Sequence, residues 1–535
     1  MSTTRRSHLV VLPATLAGML SMASAEVLNV PDDFPTIQEA IDASTDGDEI
    51  VVGPGTWTGT GDQVVDLAGM AITLRSSFGP EVTIIDGEGV RRGISCVSGE
   101  GLYTVIDGFT ITNGAGTWFD LDGNGAEAAE ELVGGGMLNW YADPSVVNCI
   151  FSANSANRGG AVYSNFCSDT FSSCTFSDNS AELGGAFFQR LFNDTQLLDC
   201  SVDSNTAQRG GGIYLDYGST IEILDGTIHG NFADSNGGGI YSQYATIIVG
   251  GCAITYNISY SSGGGIFANQ SPATVDHCTF TANYSDLAGA AIRILGSPLS
   301  VSDCEFRGNL TYGEGGGLHF AGPELSITGS SFILNSSTTG GAACINGTVS
   351  GDTVQISASA FLLNDAYSGG AISFNSSCTA QIVDRIVAQN AATSQGSAIA
   401  NDSAALGIGG TLFCDNDPDA PDDIVGAWSE LDPNDFEDDC PVLSLGACCL
   451  EDDTCSMLPE QLCAGTWGGA GTNCEDGCSA CLGDFDGNGI VGVEDLLVVI
   501  AEWGTCGSCP ADLTGDGNVG VEDLLIIIAQ WGSCS

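Results

Sequence analysis

The sequence predicts a mainly β protein organised around a parallel β-helix solenoid, and three observations predict it. Residues 137–416 repeat one pattern: a Cys, a large apolar residue two places on, an Asn three after that, then a Gly-Gly-x-Ile step. "CIFSANSANRGGAV" begins at Cys149, "CTFSDNSAELGGAF" at Cys174 and "CTFTANYSDLAGAAI" at Cys278. The Asn marks are Asn154, Asn179, Asn205, Asn231, Asn257, Asn283, Asn309, Asn335, Asn364, Asn390 and Asn416, mostly 26 residues apart. A fixed period of this size means stacked units that cannot bury an apolar face alone. Second, the units hold short Val/Ile/Phe/Thr runs broken by Gly, Asn and Ser, without a helical 3.6 period. Third, on rungs about 4.8 Å apart equivalent residues fall into columns. Five before the Asn stand Cys149, Cys174, Cys200, Gly226, Cys252, Cys278 and Cys304; three before stand Phe151, Phe176, Val202, Ile228, Ile254, Phe280 and Phe306. Positions two apart share a strand face, so both columns are expected to fill the core. The Asn column is expected at a bend, its amides bonding above and below. The Gly pair supplies a second bend.

The GGAI and FxxN marks resemble the repeat of the polymorphic outer-membrane-protein family. The whole stretch from about residue 29 to 416 is similar to the right-handed β-helix, or pectin-lyase-like, superfamily. That resemblance implies a right-handed coil and, often, a grip on polysaccharide.

In chain order, residues 1–25 read as a secretory signal. Arg5 and Arg6 start it, "LVVLPATLAGML" is its apolar centre and "ASA" precedes Glu26. An exported, secreted or surface protein is expected, with no membrane span. Next, Thr36 and Glu39 form a capping box for a short helix presenting Ile37, Ala40, Ile41 and Ser44 on one face. The segment resembles the N-terminal cap of pectin-lyase-like β-helices, which plugs the open core and shields the first strands. "AITLRSS", "VTIIDGE" and "YTVIDGFTITN" are the opening rungs of a solenoid spanning 26–416.

An insertion at 114–135 interrupts the array. Asp120, Asp122, Asn124 and Glu131 fit positions 1, 3, 5 and 12 of a Ca²⁺ loop, with Gly125 at the sharp turn. An acidic linker is expected at 417–439. Residues 440–481 carry eight Cys, read as a small disulfide-rich module, with zinc as the alternative. The Cys of the solenoid column are instead expected to be mostly free thiols.

The last segment, 482–535, holds two copies 28 residues apart, "DFDGNGIVGVEDLLVVIAEWG" and "DLTGDGNVGVEDLLIIIAQWG". Each opens as a Ca²⁺ loop and runs into an apolar helix, predicting a C-terminal α-helical Ca²⁺-loop pair. The ligands are Asp484, Asp486, Asn488, Ile490 (by its carbonyl) and Asp495, then Asp512, Thr514, Asp516, Asn518 and Asp523. The pair resembles a type I dockerin, an EF-hand-like module. That resemblance implies attachment to a cohesin-like protein. Gly492 and Gly520 stand where the family favours Asn.

Charge narrows the partners. All eleven basic residues are Arg, against 67 Asp and Glu, for a formal net charge of −56. This argues against nucleic acid and suits Ca²⁺. Two outward columns are candidates for substrate. One is Tyr163, Phe188, Tyr214, Tyr241 and Phe267, followed by Arg293 and His319, a stripe of rings able to stack sugars. The other is Asp199, Asp225, Gly251, His277 and Asp303, where a His beside a carboxylate offers acid–base chemistry. No catalytic residue is assigned. The leading expectation is a Ca²⁺-dependent protein that binds polysaccharide or a cell-surface glycan. A polysaccharide lyase or glycoside hydrolase, and a purely structural surface protein, are the alternatives.

Overall fold

The structure, a computed structural model, describes residues 25–437 apart from 122–124, 126–130, 348–350, 415 and 417–422, and only short segments beyond 437. The array is a parallel β-helix. Each rung gives two strands to a broad sheet, a short strand to a corner sheet and a longer one to a flat sheet. In one rung these are Ser145–Val147 and Ile150–Ser152, then Ser155–Arg158, then Val162–Asn165. All pair in parallel with the next rung, Val146 with Phe171, Phe151 with Phe176, Ser155 with Ser180 and Val162 with Phe187. The Phe column therefore stacks in the core, with ring centroids 5.1 Å apart at Phe151–Phe176 and 4.4 Å at Phe306–Phe332.

Left-handed backbone makes the corners. One such residue, six before each Asn, separates the two broad-sheet strands; Asp199, His277 and Asp303 have φ of 52°, 50° and 51°. Another immediately precedes the Asn, as at Ala153 and Asp178, with φ of 54° and 55°. The turn thus falls on the neighbour of the Asn, not on the Asn expected to make it. The Asn side chains point inward and are buried from Asn154 to Asn416. Each Oδ1 accepts from the backbone N–H and the Nδ2–H of the Asn one rung earlier, while each Nδ2 also donates to a backbone carbonyl, as from Asn257 to Ile228 at 2.8 Å. An amide suits the column because it joins a two-lone-pair acceptor to two donors in one plane.

The Gly pair divides its work. The first Gly takes the left-handed corner, with φ of 67° at Gly184. The second lies where rungs touch: a Cβ at Gly185 would stand 2.2 Å from the Gly211 carbonyl oxygen.

The column cysteines are buried and free. They do more than fill space. The amides of Gly226, Cys252 and Cys278 donate to the sulfur one rung on at 3.3–3.4 Å, and Ser330 and Ser359 continue the series with hydroxyl acceptors. Burial pushes the Cys149 thiol up to about 12.

At the N-terminus the helix is Ile37–Ala43, with Thr36 Oγ1 accepting from the Glu39 amide and Ile37, Ala40 and Ile41 buried on the first rungs. The insertion is closed by an antiparallel pair, Thr117–Trp118 with Leu132–Val133, and Val133 then joins the corner sheet.

The stack runs past 416. Trp428–Glu430 and Asp435–Glu437, read from sequence as linker, pair with Ala405–Cys414, and Phe436 extends the Phe column 4.9 Å from Phe413. The outward face changes over the last rungs. Ser152, Ser177, Asp203, His229, Thr255, Thr281 and Arg307 give way to Ile333, Leu362, Ala388 and Cys414. These apolar residues are buried. Cys455–Pro459, in a three-stranded antiparallel sheet, lies against Ser331–Ile333. Part of the Cys-rich segment therefore lies against the last rungs of the solenoid. No helix among the described residues is long and apolar enough to cross a membrane. The residues read as a signal lie outside the described ones, apart from Ala25.

Candidate functional site

The expected aromatic stripe exists as a ladder but not as a surface. Tyr163, Phe188, Tyr214, Tyr241 and Phe267 stack on adjacent rungs of the flat sheet, with centroids 5.3, 5.0, 4.7 and 5.2 Å apart. They are only 0–7% exposed. Residues just before the Gly pairs fold across them: Arg158 lies over Phe188, Arg209 over Tyr241 and Leu183 packs beside them. Arg293 covers Phe267. At the other end the insertion packs Val133, Phe119 and Leu121 against the ladder. Sequence alternation turned these rings away from the core, but side chains from neighbouring segments close over them. Covered in this way, they offer a sugar no platform.

A second ladder is open. It lies at the bend that follows each flat-sheet strand: Tyr141, Phe166, Phe192, Tyr217 and Tyr244, all with left-handed φ. Tyr141 and Phe166 stack at 4.7 Å, Phe166 and Phe192 at 6.2 Å, Tyr217 and Tyr244 at 5.0 Å. Tyr141, Phe192, Tyr217 and Tyr244 are 57%, 70%, 51% and 45% exposed. The stack breaks between Phe192 and Tyr217, where the Phe192 ring lies over Gly218. A side chain there would press on the ring, so Gly218 lets Phe192 lie across the turn. Sequence reasoning missed this column, although aromatics recurring three or four places beyond the buried rings were visible.

The polar column is outward, as expected. His277 Nδ1 lies 2.8 Å from Asp276 Oδ2, and Asp303 sits one rung on. Asp276, His277 and Asp303 bring their polar atoms within 4.8 Å of one another. Burial opposes ionisation of Asp276, yet hydrogen bonds from Ser302 and His277 hold its carboxyl below the usual range. Glu305, two residues beyond Asp303, is buried.

In the insertion, Asp120 Oδ2 accepts from the Gly125 amide at 3.0 Å, joining positions 1 and 6 of the predicted loop. Asp120 Oδ1 is buried with no hydrogen-bond partner among the described residues. Glu131 is buried, its two oxygens accepting from Leu121 N and Trp118 Nε1, each at 3.0 Å. A buried carboxylate oxygen left without a donor is the kind of ligand an oxygen-seeking cation takes. Asp122 and Asn124 lie outside the described residues. So do Asp484, Asp486, Asn488, Asp495, Asp512, Thr514, Asp516 and Asp523. Ile490–Val491 pairs with Gly532–Ser533, and Asn518–Val519 with Gly504–Thr505. The loop of each copy is therefore bound to the segment that ends the other.

Residues 193–409 match the family model described as "Right handed beta helix region". Comparison with curated proteins gives no match. Similar solved structures include the catalytic unit of a thermostable GH87 α-1,3-glucanase from Streptomyces thermodiastaticus strain HF3-3, at 12% identity and TM-score 0.29, covering 81% of this chain and 71% of that one. The receptor-binding domain of the siphovirus 9NA tailspike is 9% identical over 81% of each chain, with TM-score 0.27. The family 28 exopolygalacturonase of Yersinia enterocolitica is 12% identical over 78% of this chain and 80% of that one, with TM-score 0.22. At such identities and scores these likenesses carry no argument about function. The family match over residues 193–409 and the rung-by-rung register together make the repeat array a right-handed parallel β-helix solenoid.

Proposed function

We propose that this is an exported protein that binds polysaccharide along its solenoid, with the exposed Tyr141–Tyr244 ladder as the contact strip. The ladder is the observation that carries the reading. Clustered exposed rings mark a binding site, and two short stacks in line along the solenoid suit an extended chain. Phe192, 70% exposed, offers apolar ring surface to a sugar, and the Tyr residues offer phenol groups to sugar hydroxyls. A surface poor in cations excludes polyanions as the preferred ligand.

Ca²⁺ belongs to the same reading. Asp120 and Glu131, with Asp122 and Asn124, would hold one ion in the insertion, which packs beside the start of both ladders. The two C-terminal loops would hold two more and present a dockerin-like module to a cohesin-like partner. Bound Ca²⁺ would neutralise clustered carboxylates and fix the loops.

One observation favours the alternative reading of a lyase or glycoside hydrolase: the Asp276, His277 and Asp303 group pairs an imidazole with carboxylates on an open face. One experiment separates the readings. The full chain is run through gels containing neutral and acidic polysaccharides, with Ca²⁺ or with chelator, and the gels are assayed for reducing and unsaturated ends. Retardation without new ends supports binding. New ends establish cleavage, and the absence of both leaves a structural role.

A further inference from the structure

The buried ring column does not stop at Phe267. On the next three rungs of the flat sheet its positions are Arg293, His319 and Cys344, in direct register. Here the column ceases to be apolar, and Glu314 and Asn346 join it from the flanking turns.

Three polar atoms meet at this point. His319 Nε2 and Glu314 Oε2 are 3.0 Å apart, Asn346 Nδ2 is 3.0 Å from that Nε2 and 3.1 Å from that Oε2. Cys344 Sγ lies 3.8 Å from Asn346 Oδ1, and the ligand atoms of Glu314, His319 and Cys344 all fall within 4.8 Å of one another. His319 is 3% exposed and Cys344 fully buried, while Glu314 reaches the surface.

With Glu314 ionised, every placement of the His319 proton leaves two like groups in contact. If Nε2 carries the proton it donates to Glu314, and then it meets the Asn346 NH₂ donor to donor. If Nδ1 carries it, the Nε2 lone pair accepts from Asn346 but faces the Glu314 carboxylate. Turning the Asn346 amide sets its oxygen against Glu314, acceptor to acceptor. In every case His319 Nδ1 is buried with no partner among the described residues. Buried polar groups seldom stay in such conflict. A cation at the centre removes it, because the imidazole, the carboxylate and the turned amide would all aim lone pairs at one point.

We propose that Glu314, His319 and Cys344 form a zinc-class site, with a fourth coordination position beside Asn346. A mixed nitrogen, oxygen and sulfur donor set selects a borderline ion such as Zn²⁺ over Ca²⁺ or Mg²⁺, which take oxygen ligands. Binding displaces the thiol proton to solvent, and the exposed edge of Glu314 gives the ion a way in. Asn375 Nδ2, 3.3 Å from Cys344 Sγ, donates to the resulting thiolate. The site differs from the oxygen-ligand loops, and it lies on the flat sheet where the buried rings end.

The test uses the full chain, purified without a metal-binding tag, stripped and then loaded with Zn²⁺ or Co²⁺. Metal content is measured after dialysis for the parent and for Cys344→Ser, His319→Gln and Glu314→Gln. The parent should hold one equivalent of zinc more than Cys344→Ser, and its cobalt form should show a thiolate-to-metal charge-transfer band that Cys344→Ser lacks. Cysteines beyond 437 contribute equally to both proteins, so the difference reports this site. Glu314→Gln, at the surface edge, is the variant least able to disturb folding, and should bind about tenfold more weakly or worse. Equal zinc content and identical cobalt spectra in parent and variants would overturn the proposal, as would a parent that binds no zinc.

Discussion

Asn231 donates both its backbone N–H and its side-chain Nδ2–H to the single Oδ1 of Asn257, each at 3.0 Å. The same bifurcated contact links Asn154 to Asn179 and recurs to Asn390 and Asn416. It makes one amide per rung both the spacer and the fastener of the stack.

Asn257→Ala removes that oxygen and strands the Asn231 amides and the Ile228 carbonyl without water. A loss of about 3 kcal/mol or more is expected. A solenoid does not unfold as one unit, so the loss should be local. Hydrogen exchange should rise at the rungs around Asn231 and Asn283 and stay unchanged near Asn390.

Gly185→Ala drives a methyl into the Gly211 carbonyl and the Thr206 backbone, neither of which can move without opening the stack. Gly101→Ala meets no atom within 4 Å and needs no left-handed backbone. The first should yield insoluble or partly unfolded protein. The second should melt with the parent, within about 0.5 kcal/mol.

Asp169 is fully buried in the solenoid, with Asn139 Nδ2 at 2.7 Å and Ser164 Oγ at 2.6 Å on its Oδ2. Burial raises its carboxyl above the ordinary value, although these hydrogen bonds oppose the shift. A carboxyl raised on folding stabilises the native state while protonated. That contribution disappears as pH climbs from about 4, the unfolded value, through the native one. Asp169→Asn cannot ionise. Its melting temperature relative to the parent should therefore rise with pH across this window; a constant difference would count against the assigned shift.

Ca²⁺ should order the insertion. Limited proteolysis between residues 114 and 135 is expected to be slow with Ca²⁺ and fast with chelator. Asp120→Ala, which removes the orphaned oxygen, should be cut at the fast rate under both conditions.

Much of this was legible in the sequence, for a physical reason. A solenoid repeats one rung's environment, so the Phe and Asn columns could be read without coordinates. What escaped notice depends on contacts that do not repeat with the rung. The buried Tyr163–Phe267 ladder and the open Tyr141–Tyr244 ladder both face outward, and the side chains folded over the first, among them Arg158, Leu183, Arg209 and Arg293, decide which is covered. The shift from Arg307 to Ile333 on the outer face marked a docked segment, but its meaning depends on which stretch of chain returns there. The turn residues before each Asn were missed because Ala153 and Leu334 do not advertise a left-handed φ as Gly does.

The glycan-strip reading is tested most directly by comparing Phe192→Ala and Tyr241→Ala for retention on the polysaccharide that the parent binds. Phe192 is exposed and Tyr241 buried. Phe192→Ala should melt like the parent yet bind about tenfold more weakly, near the upper end for one aromatic contact. Tyr241→Ala should lose about 3–5 kcal/mol of stability while the protein that remains folded binds as the parent does. Undiminished binding by Phe192→Ala, or a specific loss in folded Tyr241→Ala, would contradict the open ladder as the site of contact.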